Sequence, residues 1–262
     1  MSKIEKALNK AREESQRTLG SKVRTMPEKH PQAEELKPMM ARTRVESPNP
    51  KKWEDKRILR SIKDQHVLDA YNILRTRILQ QTSEQGWNTI MVTSALPGEG
   101  KTTTAINLGL SIARDSQSTA LVVDANLRSP TVHEYLDLDA QTGLADYLLG
   151  KEEIPELLVS PNMEKFVVLP AGKPMADPTD LLGSVKMTQL IREMKQRYAN
   201  RFIIFDCPHL VNVPESLMLC SCIDAVLMVV EADRTPKDDV QQAYSILEGR
   251  SVLGLVLNKA QG

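Results

Sequence analysis

The stretch Pro97-Gly98-Glu99-Gly100-Lys101-Thr102-Thr103 brings two glycines, an ammonium group and two hydroxyls into a short span. Glycine at such positions lets the backbone curl so that successive N–H groups point at one anion. The lysine puts positive charge where the outer phosphates of a nucleoside triphosphate would lie. The threonine hydroxyl that follows is a hard oxygen ligand of the kind Mg²⁺ takes. A turn between strand and helix also calls for glycine, but not for lysine then threonine at the helix start. The combination therefore favours a phosphate cradle over a plain turn. Ala95 replaces the first glycine of the strict pattern.

Two apolar runs end in aspartate: Leu121-Val122-Val123-Asp124 and Phe202-Ile203-Ile204-Phe205-Asp206. A carboxylate emerging beside a phosphate cradle can hold Mg²⁺, usually through water, or accept a proton from an attacking hydroxyl. Either aspartate alone could simply cap the turn after its strand. Two of them downstream of the cradle favour a magnesium–nucleotide site.

These residues need a scaffold that presents them on one edge. An apolar run, Ile90 to Val92, enters the glycine-rich loop, and Ala105, Leu108, Leu110, Ile112 and Ala113 follow at helical spacing. Further strands are expected at Ala120–Asp124, Lys165–Leu169, Phe202–Asp206, Ala225–Glu231 and Val252–Asn258, after a first at Thr89–Thr93. Helices are expected near Thr102–Arg114, Thr131–Tyr135, Gly143–Leu149, Pro178–Tyr198, Pro214–Cys220 and Lys237–Leu247, with one more over Asp64–Gln81 ahead of the first strand. Continuous apolar strands alternating with helices predict an α/β fold, its mainly parallel sheet flanked by helices and its ligand at the carboxyl ends of the strands.

The folded domain is expected from Ile58 to the end of the sequence, residues 58–262. Residues 1–57 are expected to be a short helix plus a disordered linker. Ser2 and Glu5 make a capping box, and Ile4, Ala7, Leu8 and Ala11 line one narrow face. A helix of that size is marginal alone, so it is expected either to dock on a partner or neighbouring subunit or to fray. Residues 17–57 hold five prolines among many charges, a composition that cannot offset its ordering entropy by burial.

Lys+Arg and Asp+Glu both number 34 in 262 residues, a net charge of zero that gives no reason to expect nucleic acid as a partner. The three cysteines, Cys207, Cys220 and Cys222, form neither a disulfide framework nor a zinc-ligand spacing. No apolar segment is long enough for a transmembrane helix, and no signal-peptide pattern opens the sequence. The expectation is a cytoplasmic protein without direct membrane insertion, peripheral at the membrane only through a partner.

The cradle from Pro97 to Thr103, the strand end Asp124-Ala125-Asn126-Leu127-Arg128-Ser129-Pro130, and Asp206-Cys207-Pro208 resemble the Walker A, A′ and B motifs of the bacterial tyrosine kinases of capsule and exopolysaccharide export. Gly143 to Gly150, Leu169 to Pro174, Asp180 to Ser184 and Gly254 to Asn258 are similar as well. The opening Ile4-Glu5-Lys6-Ala7-Leu8 resembles the subgroup found beside exosortase-linked clusters. The likeness runs from about Asp64 to Asn258. It separates the chain from the related MinD/ParA ATPases, which carry a second lysine where Leu96 stands.

The resemblance implies a P-loop NTPase fold of the MinD/ParA type and ATP- and Mg²⁺-dependent transfer of phosphate to tyrosine, on the kinase itself and on neighbouring copies. It implies Lys101, Asp124 and Asp206 as catalytic residues. Thr102, Asp124 and Asp206 would serve the metal. Pro97, Gly98, Glu99, Gly100, Lys101, Thr102 and Thr103 would surround the phosphates. Arg128 would orient the strand end, or equally form a surface salt bridge, and Asn258 would contact adenine. The implied partners are a membrane-embedded polysaccharide co-polymerase that sets chain length, and further copies of the chain in a homo-oligomer. The alternative is a regulatory ATP-binding switch or scaffold with little transfer to protein.

The chain departs from the family pattern at four places. Asn126 replaces a second aspartate, and an amide neither accepts a proton usefully nor holds Mg²⁺ as strongly. His209 replaces a proline, placing a titratable ring beside the phosphate site. The helix ahead of the sheet keeps only Arg75 of the family's Glu-x-x-Arg-x-x-Arg face, the other positions being Asp69 and Asn72, which weighs against a ring. The sequence closes without a tyrosine cluster, so phosphate is expected on another protein, on one of Tyr71, Tyr135, Tyr147, Tyr198 and Tyr244, or, if the chain is not a kinase in practice, on no protein.

Overall fold

The computed structural model describes residues 43–197 and 200–260. The helix expected over residues 2–15 and the linker up to residue 42 lie outside the described residues.

The described chain builds one mixed, mostly parallel sheet of eight strands. The strands are β1 (Arg44–Val45), β2 (Thr89–Ser94), β3 (Thr119–Asp124), β4 (Val159–Ser160), β5 (Phe166–Leu169), β6 (Arg201–Asp206), β7 (Ala225–Glu231) and β8 (Val252–Asn258). Their order across the sheet is β1-β4-β5-β3-β6-β2-β7-β8. Only the β4–β5 pair is antiparallel.

Every residue of β2 is buried, the apolar Ile90, Met91 and Val92 and the hydroxyl side chains of Thr89, Thr93 and Ser94 alike, as in a strand covered on both faces. β6 lies between β2 and β3, pairing Asp206 with Val92 on one side and with Asp124 on the other. The chain thus delivers the phosphate loop and both strand-end acids to three adjacent strand ends, although they lie far apart in sequence.

The helices are α1 (Pro50–Asp55), α2 (Gln65–Gln85), α3 (Lys101–Ala113), α4 (Val132–Leu136), α5 (Leu144–Leu148), α6 (Ile154–Leu157), α7 (Thr179–Leu182), α8 (Val185–Arg197), α9 (Pro214–Cys220) and α10 (Lys237–Ile246). α3 packs across β3, β6 and β2, and its interior Gly109 sets the approach. A Cβ on Gly109 would sit 2.9 Å from both Phe166 and Val122. Here glycine serves close helix–sheet contact at the expense of helix propensity. The single helix expected over Pro178–Tyr198 is two, interrupted at Gly183 and Ser184, where the Ser184 hydroxyl accepts from the Met187 N–H and starts α8.

The expected linker over residues 17–57 is corrected at its end: residues 43–57 are structured. Arg44 and Val45 pair with Val159 and Ser160, and Asn49 caps α1 by accepting from the Lys51 N–H at 3.0 Å. Trp53 is 5% exposed and donates its indole N–H to the carbonyl of Leu136 at 3.1 Å. Ile58 and Leu59 complete the anchor, with Asn107 of α3 accepting from the Leu59 N–H and donating to the Arg57 carbonyl. Proline and charge dominate this stretch in sequence, but one large aromatic side chain in the core is enough to order it. Trp53→Ala is expected to cost about 3–5 kcal/mol in chemical denaturation. A chain starting at Ile58 should melt below one starting at Thr43.

Candidate active site

The loop Leu96–Gly100 leaves β2 and runs into α3. Gly98 and Gly100 have φ of 83° and 93°, a conformation that L side chains rarely adopt. The N–H groups at the start of α3 therefore face a cleft of about 450 Å³. Pro97, Gly98, Gly100, Lys101, Thr102 and Thr103 line one wall of it. Asn126, Arg128, Ser129, Thr131 and Tyr135 line a second, and Pro208, His209, Val213 and Glu215 a third.

Asp124 and Asp206 lie behind these walls, both fully buried. The Thr102 hydroxyl donates to Asp206 Oδ2 at 2.6 Å. Asp206 Oδ1 is buried with no hydrogen-bond partner. Burial raises the Asp206 pKa to about 6 against the opposing pull of Lys101 and the Thr102 hydroxyl. An orphaned carboxylate oxygen beside a threonine hydroxyl fits the hard-oxygen preference of Mg²⁺.

Asp124 differs. Its Oδ1 accepts from the Asn126 N–H at 3.1 Å, and its Oδ2 accepts from the N–H groups of Thr131 and Val132 at 3.0 Å each. Burial, and then the charge of Asp206, raise its pKa to about 7 in spite of these three donors. Asp124 therefore organises the whole loop from Ala125 to Val132.

Two side chains of the expected nucleotide-binding set bond to the protein. The side chain of Glu99 turns back into the fold, 2% exposed, and accepts from the Leu96 N–H at 2.7 Å and from the Thr235 hydroxyl. Asn258 donates its amide to the Glu99 carbonyl at 2.8 Å, and lies where any Cβ on Gly100 would go, 2.1 Å away. Both residues hold the loop from behind.

Lys259, unmarked in the sequence, finishes the clamp by donating to the Gly98 carbonyl at 2.8 Å and to Glu231 at 2.9 Å. Its place directly after Asn258 was the available signal. Arg128 is paired with Glu215, so the salt-bridge alternative describes it, but its partner is buried.

Asn126 donates its side-chain amide to the Ser129 carbonyl at 2.8 Å, a bond a carboxylate could not make. His209 is half-buried, and burial together with the nearby Lys101 charge lowers its pKa, so the ring is neutral at pH 7. Arg75 donates to the Ser111 carbonyl at 3.0 Å and joins α2 to α3 within the subunit. Cys207 and Cys220 are buried free thiols.

A family model described as an AAA domain matches residues 87–249. The tyrosine-protein kinase YwqD of Bacillus subtilis (strain 168) is 32% identical over 192 residues, which span 72% of this chain and 80% of that protein. This chain belongs to the bacterial tyrosine-protein kinases. Among solved structures of similar fold, the chimerical protein CapA2B2 superposes with a TM-score of 0.71 at 27% identity, over 76% of this kinase chain and 87% of that one. The septum site-determining protein MinD from Pyrococcus horikoshii OT3, complexed with Mg-ADP, shares the fold at a TM-score of 0.55 and 23% identity, over 65% of the kinase chain and 69% of its own.

The two buried acids make a pH prediction. A carboxyl group whose pKa is raised by folding stabilises the fold below its unfolded value of 3.8, and that contribution is lost as pH rises through the folded values of about 6 and about 7. Scanning fluorimetry without metal or nucleotide should therefore show the melting temperature falling between about pH 4 and pH 7. Asp206→Asn should reduce the fall and raise the melting temperature above neutrality by a few degrees.

Proposed function

We propose that the cleft binds ATP with Mg²⁺ and transfers its terminal phosphoryl group to tyrosine, and that this activity regulates exopolysaccharide or capsule synthesis and export. The bond from Thr102 to Asp206, with the second Asp206 oxygen left unpaired, carries the reading. Membership of the tyrosine-protein kinases supports it.

Thr102 and Asp206 would hold the metal. Among the described residues no three His, Cys, Asp or Glu cluster as a metal site, so phosphate oxygens and water would complete the coordination. The bound ion would neutralise charge on the transferring phosphoryl group. Lys101 would neutralise the outer phosphates, and the N–H groups from Gly98 to Thr103 would hold the phosphate oxygens in place. Asp124 would keep the loop bearing Thr131 and Arg128 against the cleft. A tyrosine hydroxyl has a pKa of about 10, so its attack needs a hydrogen-bond acceptor beside it near neutral pH.

None of the described helices is long and apolar enough to cross a membrane. The proposed setting is the cytoplasmic face of the membrane, reached through a membrane-embedded chain-length protein.

Phosphoproteomic mapping after incubation with ATP and Mg²⁺ tests the proposal, with Lys101→Ala as the comparison. The wild-type chain, alone or with its membrane partner, should gain phosphotyrosine. The variant should lose about two to three orders of magnitude in rate, as when a group meeting transition-state charge is removed. Release of free phosphate with no phosphotyrosine would favour an ATP-driven regulatory switch instead. Asn126→Asp should not raise the rate, because a carboxylate there would face the Ser129 carbonyl and add a third acid beside Asp124.

A further inference from the structure

Glu215 lies in the first turn of α9 and is 1% exposed, yet it lines the cleft. Its Oε1 accepts twice from one guanidinium, from Arg128 Nε at 3.1 Å and Nη2 at 2.6 Å. Its Oε2 is buried and has no partner. Arg128 also donates through Nη1 to the carbonyl of Ala176 at 2.7 Å, and the Met175 N–H donates to the carbonyl of Leu127. One ion pair therefore joins the segments that follow β3, β5 and β6.

A buried carboxylate oxygen without a donor bears a desolvation cost that no hydrogen bond offsets. Such an oxygen at the wall of a cleft marks the place of a ligand's donor. The neighbouring guanidinium decides which kind. It balances the Glu215 charge and repels a divalent cation, so the oxygen suits a neutral O–H better than a metal. In a tyrosine kinase two ligands bring a neutral O–H, the phosphate acceptor and the ribose of ATP, and a change in KM for the acceptor alone separates them. The rival for this role is Asp124, but three backbone N–H groups already bond its two oxygens. Asn126 uses its amide on Ser129.

We infer that Glu215 binds the acceptor tyrosine: its Oε2 takes the hydrogen bond of the phenolic O–H and turns the phenol oxygen toward the phosphate loop. Arg128 is the positioning residue that fixes the carboxylate from the far side. This inference rests on the cleft being the kinase site.

The experiment compares Glu215→Gln with the wild-type chain in two assays run in parallel. One measures transfer to a synthetic copolymer of glutamate and tyrosine, with KM for the copolymer separated from KM for ATP. The other measures ATP hydrolysis, in which water replaces tyrosine. An amide at this position offers an N–H to the phenol proton in place of an acceptor. Transfer is expected to fall roughly ten- to a hundredfold further than hydrolysis, with the change in KM for the copolymer and not for ATP. Equal losses in both assays would overturn the inference, as would unchanged transfer. If Glu215→Gln does not fold, Glu215→Asp withdraws the oxygen by one methylene and should show the same split, smaller in size. A wild-type chain that hydrolyses ATP but labels no tyrosine would overturn the kinase reading itself, an outcome distinct from a failure confined to the variants.

Discussion

Two carboxylates stand side by side with no water around them. Asp124 and Asp206 end neighbouring strands at the same register, and both are buried completely. Burial raises both pKa values toward neutrality, and at Asp124 the neighbouring Asp206 charge adds to it. The rest of the site is arranged against this tension. Three backbone donors serve Asp124, one hydroxyl serves Asp206, and Lys101 lies close enough to pull the Asp206 pKa down. Of the oxygens of these two acids, one of Asp206 has no partner, and in the proposed reading magnesium relieves it, as function in a preorganised centre is commonly set against stability.

The loop above the acids is held in an open shape by the residues behind it. Glu99, Asn258 and Lys259 all bond to its backbone or across its base, Glu99 and Asn258 from behind and Lys259 from the rim of the cleft. These side chains fix the curvature of the loop. That division of labour explains why Gly100 must be glycine twice over: its φ is positive, and Asn258 occupies the space a Cβ would need. It also ties β8, at the edge of the sheet, to a site built around β2, β3 and β6.

The third wall is assembled by an ion pair that no local pattern announces. Arg128 and Glu215 are separated by 87 positions. The arginine belongs to the strand-end motif, while no sequence pattern marks the glutamate. Burial gives the pair its consequence. A surface bridge would contribute little, whereas a carboxylate held inside by one guanidinium sets both charge and shape at the cleft. Trp53 teaches the same lesson, where a proline-rich, charged stretch reads as linker until its one aromatic anchor is seen in the core. That stretch also carries Lys56, whose ammonium lies 4.6 Å from the ring centre of Tyr135 in the cleft wall.

The α/β class, the parallel core strands, the phosphate loop and the two strand-end acids were all legible from residue order alone. Each is a short-range pattern: an apolar run of strand length, glycine where φ must be positive, a charge at the end of a strand. Which of those acids keeps a free oxygen, which polar side chains face the cleft and which turn away, and where the folded chain begins were decided only by tertiary structure. These depend on partners brought together across the sheet, and on burial, which changes what a carboxylate or an indole is worth without changing its place in the chain.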